Sequence, residues 1–320
     1  MKIFVTGGAG YIGSHVVYQL LKAGYKVTVY DNLSSGSKKN IFPREKFIKG
    51  DILNYNLLQK SLQGGYDAVF HFAAKKSVGE SMEDPSLYAE NNISGTINLL
   101  KAMQKNKVDK FIFSSSAAVY GAPEKLPLTE NSNTNPENFY GYTKLEIENM
   151  LKWYARLGKI KYASLRYFNA AGFDPSGKVR GLEKDPQNLI PIIMEVATGK
   201  KKQLNIFGNN YKTKDGTCVR DYIHVTDLAE AHLKALLYID KNKSIVLNLG
   251  SENGSSVTEV LETARKITHK TISAKVVARR KGDPAALYAS SAKARKLLNY
   301  KPKYSDLESI IKTTWDVYKS

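Results

Sequence analysis

A tyrosine and a lysine four residues apart, Tyr140 and Lys144, have the types and the spacing for acid–base chemistry. Residues four apart lie on the same face of an α-helix. An ammonium group beside a phenol stabilises the phenolate, which makes the tyrosine a base near neutral pH. The ordinary pKa of tyrosine is about 10, and lowering it by about two units needs about 2.7 kcal/mol of preferential stabilisation. The pair predicts a base acting on an alcohol, although the same spacing also occurs by chance.

A glycine-rich segment near the N-terminus predicts what binds beside that base. Residues 7–13 read GGAGYIG, after the apolar run Lys2–Thr6 and before a helical pattern over 11–23. Glycine lets the backbone approach a pyrophosphate, and the helix amides bind its charge. Asp31 ends the second strand-like run, where a carboxylate accepts hydrogen bonds from the ribose of NAD and repels the 2′-phosphate of NADP. This order of features predicts NAD binding. The alternative is a glycine turn that only joins strand to helix.

Three serines, Ser114 to Ser116, end a strand-like run over 111–115. The carboxyl ends of parallel strands face the ligand crevice, so Ser116 is placed to hydrogen-bond a substrate oxygen. Serines also end strands for purely structural reasons, and the residues alone leave both interpretations open.

The composition indicates an ordinary globular protein of 320 residues, with 42% hydrophobic and 24% charged residues. The net charge of +18 comes from scattered lysines, which favours a solvated surface over a nucleic-acid or membrane partner. Cys218 is the single cysteine, which excludes an internal disulfide and predicts a reducing, cytoplasmic location. No signal peptide or membrane span is apparent. The five histidines lack metal-site spacing, so no metal is expected.

Strand and helix patterns alternate through the first half of the chain. They predict an α/β fold, with a doubly wound parallel (Rossmann) sheet over residues 1–168. Long helices are predicted over 85–106 and 140–157. Gly-, Pro- and Asn-rich loops after residue 169 predict a second, smaller α/β substrate domain over 169–320. This domain is expected to be discontinuous, with the chain returning to the first domain around 220–250.

Segments along nearly the whole chain resemble one known family. They are VTGGAGYIGSH at 5–15, YDNL at 30–33, GDI at 50–52, HFAAKKSVGES at 71–81, SSSAAVYG at 114–121, YGYTK at 140–144, LRYFNAAG at 165–172, NLIP at 188–191, IFGNNY at 206–211, DGTCVRDYIHV at 215–225 and RRKGDPA at 279–285. On these segments the chain resembles the extended short-chain dehydrogenase/reductase family, and within it the UDP-sugar 4-epimerases. The last four are the more specific, because they lie in the predicted substrate half.

The resemblance implies an NAD-dependent interconversion of UDP-glucose and UDP-galactose. Tyr140 is expected to take the proton of the sugar 4-hydroxyl, with Ser116 bridging the two oxygens. The 4-hydride passes to NAD, the 4-keto sugar turns about its diphosphate, and the hydride returns to the opposite face. Lys144 is expected to hold the nicotinamide ribose and to tune Tyr140. NAD is regenerated in each cycle and is expected to stay bound.

The resemblance also assigns contacts. The positions matching cofactor contacts are Gly7, Gly10, Tyr11, Ile12, Gly13, Asp31, Asn32, Asp51, Ile52, Phe72, Ala73, Lys76, Asn92, Tyr140, Lys144 and Tyr167. Those matching substrate contacts are Ser116, Tyr140, Asn169, Asn188, Leu189, Phe207, Arg220, Arg280, Asp283 and Leu287. The chemistry agrees for the arginines, because guanidinium is the preferred diphosphate ligand, and for Phe207, whose ring can pack on a uracil.

Several alternatives stay open. Some epimerases have a tyrosine where this chain has Leu287, with Tyr288 next to it, which predicts weak or moderate acceptance of UDP-N-acetyl sugars. A 4,6-dehydratase is disfavoured, because Ala117 and Ala118 after Ser116 cannot transfer a proton. A UDP-glucuronate or UDP-pentose 4-epimerase is possible, and the +18 charge leaves a non-catalytic NAD- or RNA-binding relative as a distant alternative. The resemblance of the two long helices to a family contact predicts a homodimer.

Overall fold

A computed structural model describes residues 1–123, 125–183, 186–280 and 283–320 of the chain. Its largest feature is a seven-stranded sheet in which every neighbouring pair is parallel. The strands of the chain are β1 (Lys2–Thr6), β2 (Lys26–Asp31), β3 (Lys46–Lys49), β4 (Ala68–His71), β5 (Lys110–Ser114), β6 (Lys161–Tyr167), β7 (Asn169–Ala171), β8 (Leu204–Phe207), β9 (Val219–His224), β10 (Ile245–Leu249), β11 (Gly254–Ser256), β12 (Ala274–Val277) and β13 (Ala286–Leu287). The sheet runs in the order β10-β6-β5-β4-β1-β2-β3.

Helices cover both faces of this sheet. The helices are α1 (Tyr11–Lys22), α2 (Tyr55–Ser61), α3 (Val78–Glu83), α4 (Pro85–Tyr88), α5 (Gly95–Lys105), α6 (Phe139–Arg156), α7 (Leu189–Ala197), α8 (Val225–Lys241), α9 (Val257–Thr268), α10 (Ala292–Leu298) and α11 (Leu307–Tyr318). No helix in the described ranges is both long enough and apolar enough to cross a lipid bilayer.

The apolar strands form because both faces of the sheet are buried. In β1, Ile3 and Val5 pack with α1, α8 and α10 on one face, whereas Phe4 packs with α2, α5 and α6 on the other. Successive side chains of a strand point to opposite faces, so an unbroken apolar strand needs cover on both sides. This arrangement confirms the predicted doubly wound parallel sheet.

The helix predicted over 85–106 is present, but it is not α-helical throughout. A π-helical turn, Ala89–Ser94, separates α4 from α5. Within it the buried Asn92 side chain accepts a hydrogen bond from the Lys75 amide at 2.9 Å and donates to the Thr143 hydroxyl at 3.1 Å. Such turns place an extra residue in a helix, commonly near functional sites. The sequence pattern does not reveal it, because its bonding partners lie on other elements.

A second region packs beyond the carboxyl ends of the main sheet. In it β9 pairs with β7, β11 and β13, and β8 pairs with β12. The helices α7, α9 and α11 share one apolar cluster with β8 and β9. The chain then contributes β10 to the main sheet, beside β6, although β10 follows β9 in sequence. The exact domain limits stay a prediction.

Candidate active site

A cleft of about 1280 Å³ runs along the carboxyl ends of the main-sheet strands and is closed on its other side by the second region. This volume exceeds the roughly 300–1,000 Å³ of an ordinary small-molecule pocket, so two ligands can lie end to end. All the residues predicted to contact cofactor or substrate line this cleft, except Asn92, Leu189 and Phe207. Within the RRKGDPA segment, Lys281 and Gly282 lie outside the described residues.

The glycine turn between β1 and α1 fits a pyrophosphate. A Cβ on Gly13 would lie 2.2 Å from the Gly7 carbonyl oxygen, so only glycine permits this close approach. Gly7 has φ of 73° and Gly10 is the N-cap of α1, where no side chain caps the helix. The first helical amides are therefore directed towards the cleft, where they can bind an anion.

Asp31 ends β2 at the edge of the same turn and is 7% exposed. Its carboxylate oxygens accept hydrogen bonds from the Ala9 amide at 3.0 Å and the Leu33 amide at 2.8 Å. Burial raises its pKa, while these two amides lower it. Each oxygen keeps a further lone pair for a ribose hydroxyl. Nearby, Asn32 donates to the Asp51 carboxylate at 2.8 Å.

Tyr140, Lys144 and Ser116 meet at the centre of the cleft. Helix α6 starts at its N-cap Asn138, whose side chain accepts from the Gly141 amide at 2.8 Å. A Cβ on Gly141 would lie 2.5 Å from the Ala118 carbonyl oxygen, so α6 approaches the turn that begins at Ser116 very closely. That approach places the Tyr140 phenol within hydrogen-bonding reach of Ser116.

Two features of the protein act on the pKa of Tyr140. Burial raises the pKa of Tyr140, and the Ser116 hydroxyl lowers it by a smaller amount. The Lys144 ammonium is directed to the Ser114 carbonyl at 2.8 Å and lies 5.7 Å from the centre of the Tyr140 ring. Burial also lowers the pKa of Lys144 to about 7, against an upward effect of Glu148. Stabilisation of a Tyr140 phenolate by Lys144 together with bound NAD therefore stays a prediction.

The lowered pKa of Lys144 predicts a pH dependence of stability. The folded protein binds the Lys144 proton less tightly than the unfolded chain, whose lysines titrate near 10.5. The free energy of unfolding should therefore increase from pH 7 to pH 9, by about 1 kcal/mol per pH unit from this residue. Urea unfolding of the cofactor-free protein measures it. Lys144→Met should remove this part of the slope, whereas Lys152→Met, an exposed lysine on the same helix, should preserve it. Equal slopes in all three proteins would contradict the assignment.

Tyr167 and Asn92 support the centre from two sides. The Tyr167 hydroxyl lies 2.5 Å from Ser114 Oγ, and burial beside Tyr140 raises its pKa. Asn92 does not line the cleft; it bonds both backbone groups of Lys75 from behind the cleft wall. It therefore holds the loop that follows β4, which includes the predicted cofactor residues Ala73 and Lys76.

The second region contributes two arginines and an acid. Arg220 in β9 pairs with Asp283, with Nη2 2.5 Å from Oδ1. Arg280 stacks on Phe207, its guanidinium carbon 3.8 Å from the ring centre. Phe207 is therefore covered by Arg280 rather than open to the cleft. The two arginines form a positively charged end of the cleft. They belong to segments that are distant in sequence from the glycine turn.

Four further predicted residues belong to this end of the cleft or pack behind it. Asn169 donates to the Asp221 carbonyl at 2.9 Å, which ties β7 to β9. Asn188 is the N-cap of α7 and lines the cleft, whereas Leu189 packs into the apolar cluster of the second region. Leu287 lies in β13 beside Arg220 and lines the cleft.

Some cleft residues were missed by the sequence motifs. Glu183 forms an ion pair with Lys76 across the cleft, and Phe168 and Lys75 also line it. Glu183 carries no motif signal, because its partner is 107 positions away. Phe168 lies inside the quoted LRYFNAAG segment, so the family resemblance could have indicated it as a cleft residue.

The comparisons with known proteins agree with this geometry. The model of the NAD dependent epimerase/dehydratase family matches residues 3–250. A UDP-glucose 4-epimerase from Lacticaseibacillus casei is 47% identical, over 100% of this chain and 97% of that protein.

Two solved structures are similar over the whole fold. A UDP-glucose 4-epimerase from Stenotrophomonas maltophila, with bound NAD and formylated UDP-arabinopyranose, is 39% identical with a TM-score of 0.96, over 100% of this chain and 98% of that one. The UDP-Glc/GlcNAc 4-epimerase from Campylobacter jejuni is 41% identical with a TM-score of 0.88, over 99% of both chains.

Proposed function

This chain belongs to the NAD dependent epimerase/dehydratase family, and from that premise we propose that it interconverts UDP-glucose and UDP-galactose with NAD as its cofactor. The observation that carries the proposal is the position of Tyr140 and Ser116. They lie in one cleft, between the glycine turn, which fits a dinucleotide, and two arginines, which fit a second diphosphate. The relative from Lacticaseibacillus casei, which is 47% identical to this chain, is a UDP-glucose 4-epimerase.

Different residues of the chain bind the cofactor and the substrate. The glycine turn and the α1 amides hold the cofactor pyrophosphate, and Asp31 holds a ribose. Bound NAD would supply the acceptor and the donor for the hydride of the sugar C4. At the other end Arg220 and Arg280 bind the UDP diphosphate, which requires Arg280 to leave the face of Phe207 or to share it with the uracil.

Tyr140 moves the proton in the reaction. Its phenolate oxygen accepts the proton of the sugar 4-hydroxyl while the C4 hydride leaves, which makes a C4 ketone. Ser116 donates a hydrogen bond to that oxygen. Because burial raises the pKa of Tyr140, the phenolate depends on positive charge near it, from the Lys144 ammonium and from bound NAD. After the sugar turns about its diphosphate, Tyr140 returns the proton as the hydride returns to the other face, so protons and electrons balance.

Acceptance of UDP-N-acetyl sugars is a further part of the proposal and depends on Leu287. Leu287→Tyr should lower kcat/KM for UDP-N-acetylgalactosamine about tenfold or more, with the UDP-galactose value nearly preserved, because added bulk excludes the larger 2-substituent. Leu287→Ala should change the ratio of the two values in the opposite direction. Both values are measured by following the 4-epimers chromatographically. A ratio unchanged in both variants would contradict a role for Leu287.

The test of the proposed function uses the purified protein without added cofactor. It is incubated with UDP-galactose, and the appearance of UDP-glucose is followed by chromatography. Turnover supports the proposal and indicates that NAD copurifies. Absence of turnover even with added NAD counts against it, and UDP-glucuronate and UDP-pentoses are then the next substrates to test. A homodimer and a cytoplasmic location stay predictions. Size-exclusion chromatography with light scattering tests the first, and cell fractionation tests the second.

A further inference from the structure

A buried ion pair lies directly behind the catalytic centre, and the reaction proposed above does not use it. Glu148 is fully buried and Arg166 is 3% exposed. The guanidinium contacts the carboxylate in two places, with Nη2 2.6 Å from Oε2 and Nε 2.9 Å from Oε1. Neither residue lines the cleft. The attraction between two buried charges often fails to offset the free energy needed to remove them from water. Stability alone is therefore a weak reason for such a pair.

Glu148 connects two of the catalytic residues. It follows Lys144 by one turn of α6, so both side chains lie on the same helix face. The Ser115 hydroxyl donates to Glu148 Oε1 at 2.6 Å, and Ser115 directly precedes Ser116. The carboxylate therefore fixes the serine segment against the helix that carries Lys144 and Tyr140.

Arg166 extends the contact network to the substrate end. Its Nη1 donates to the Tyr120 hydroxyl at 2.9 Å, and that hydroxyl donates to Asn248 Oδ1 at 2.6 Å. Asn248 in turn donates to the Leu128 carbonyl at 3.0 Å. Backbone hydrogen bonds join Leu128 to the segment that follows Leu287, so the network ends beside β13. Such connected buried networks fix side-chain positions.

We propose that Glu148 and Arg166 are positioning residues for the reaction, which together hold Ser116 and Lys144 in the arrangement that Tyr140 requires. They touch neither substrate nor cofactor and act through the residues they hold. The inference rests on the proposed function, because the arrangement has meaning only if Tyr140 and Ser116 act on a sugar hydroxyl.

Glu148 also acts on the charge of Lys144. Among the described residues, His71 from β4 and both Tyr140 and Glu148 from α6 interact with Lys144. Burial lowers the pKa of His71 to about 3 and raises the pKa of Tyr140, so both are neutral near pH 7. The Glu148 carboxylate raises the pKa of Lys144. Removing its charge therefore disfavours the Lys144 ammonium, which lies 5.7 Å from the centre of the Tyr140 ring.

Glu148→Gln tests the electrostatic part in the NAD-loaded enzyme. We expect kcat to fall about tenfold at pH 7 and the acid limb of the kcat–pH profile to move about one unit to higher pH, because the phenolate is less stabilised. KM should change by less than about twofold, since the pair does not contact the substrate. A purely structural pair would lower stability but leave the pH profile in place.

Ser115→Ala tests the positional part without changing any charge. We expect kcat to fall about fivefold with both limbs of the pH profile unmoved, because only the Ser116 segment is released. Asp227→Asn is the matched control: Asp227 is 2% exposed, accepts the Lys303 and Tyr304 amides, and lies away from the cleft. It should lower the unfolding temperature and preserve kcat and its pH profile.

The outcomes separate the two proposals. Wild-type kcat and pH profile in both Glu148→Gln and Ser115→Ala would overturn the positioning role while the unmutated enzyme still turns over. If Glu148→Gln does not fold, the kcat of Ser115→Ala decides the question. Absence of turnover in the unmutated, NAD-loaded enzyme would remove the proposed function and this inference together.

Discussion

Replacing Tyr140 with phenylalanine is expected to lower turnover of UDP-galactose by about 10³-fold or more, because the variant has no group to accept the 4-hydroxyl proton. Phenylalanine fills the same buried space next to Ser116, so the fold and the glycine cradle should persist. NAD and UDP should therefore still bind. Chromatographic rate measurements and the NAD content of the purified protein check both parts.

Tyr142→Phe is the control for this variant. Tyr142 lies two residues further along α6 and is 44% exposed. It loses the same hydroxyl from the same helix without touching the catalytic centre, so its turnover should equal that of the unmutated enzyme. A Tyr140→Phe enzyme with more than about a tenth of the original kcat would mean that another group accepts the proton.

Gly13→Ala is expected to weaken NAD binding by about 10- to 100-fold. The new Cβ would lie 2.2 Å from the Gly7 carbonyl oxygen and 2.9 Å from Gly8 Cα, and both are backbone atoms that move only if the turn itself moves. Overpacking of this kind costs about 1–3 kcal/mol, which here falls on the segment that holds the pyrophosphate. The variant should be purified with little NAD and should regain part of its activity at high added NAD.

Gly79→Ala is the matched control for the glycine turn. Gly79 lies in α3, and a Cβ there meets no atom within 4 Å. Its NAD content, measured as nicotinamide nucleotide released from denatured protein, should match the unmutated value. Full NAD content in Gly13→Ala would show that the turn relaxes without loss of binding. It would contradict the proposal that the glycine turn must approach the pyrophosphate this closely.

The main sheet and the cofactor end of the cleft follow from sequence because their signals are local. The apolar strands, the glycine spacing and the acid after β2 each lie within a few residues of one another. In a parallel sheet the carboxyl ends of all strands meet at one edge. Gly7, Asp31, Ser116 and Tyr167 are therefore brought together by the fold class alone.

The π-helical turn in the long helix and the position of Asn92 outside the cleft lining did not follow from the sequence, for a different reason. The amide of Asn92 bonds Lys75 and Thr143, which belong to other elements. A helical periodicity reports the face that is buried, but not which polar groups meet that face. The structure confirms the helical segment predicted over 85–106, but its π-helical turn could not be predicted from the periodicity.

The residue types of the proposed chemistry could be identified from sequence alone: a tyrosine, a serine, a lysine and a glycine turn, whose spacings are set within single helices and turns. How those residues are held in place could be seen only after the chain was folded. The Glu148–Arg166 pair, the stacking of Arg280 on Phe207 and the pairing of Lys76 with Glu183 each join distant segments. Burial, which depends on every element packed around a group, sets the pKa of Tyr140 and Lys144. Spacing along the chain encodes neighbours within a turn, whereas desolvation and long-range pairing exist only once the chain has folded.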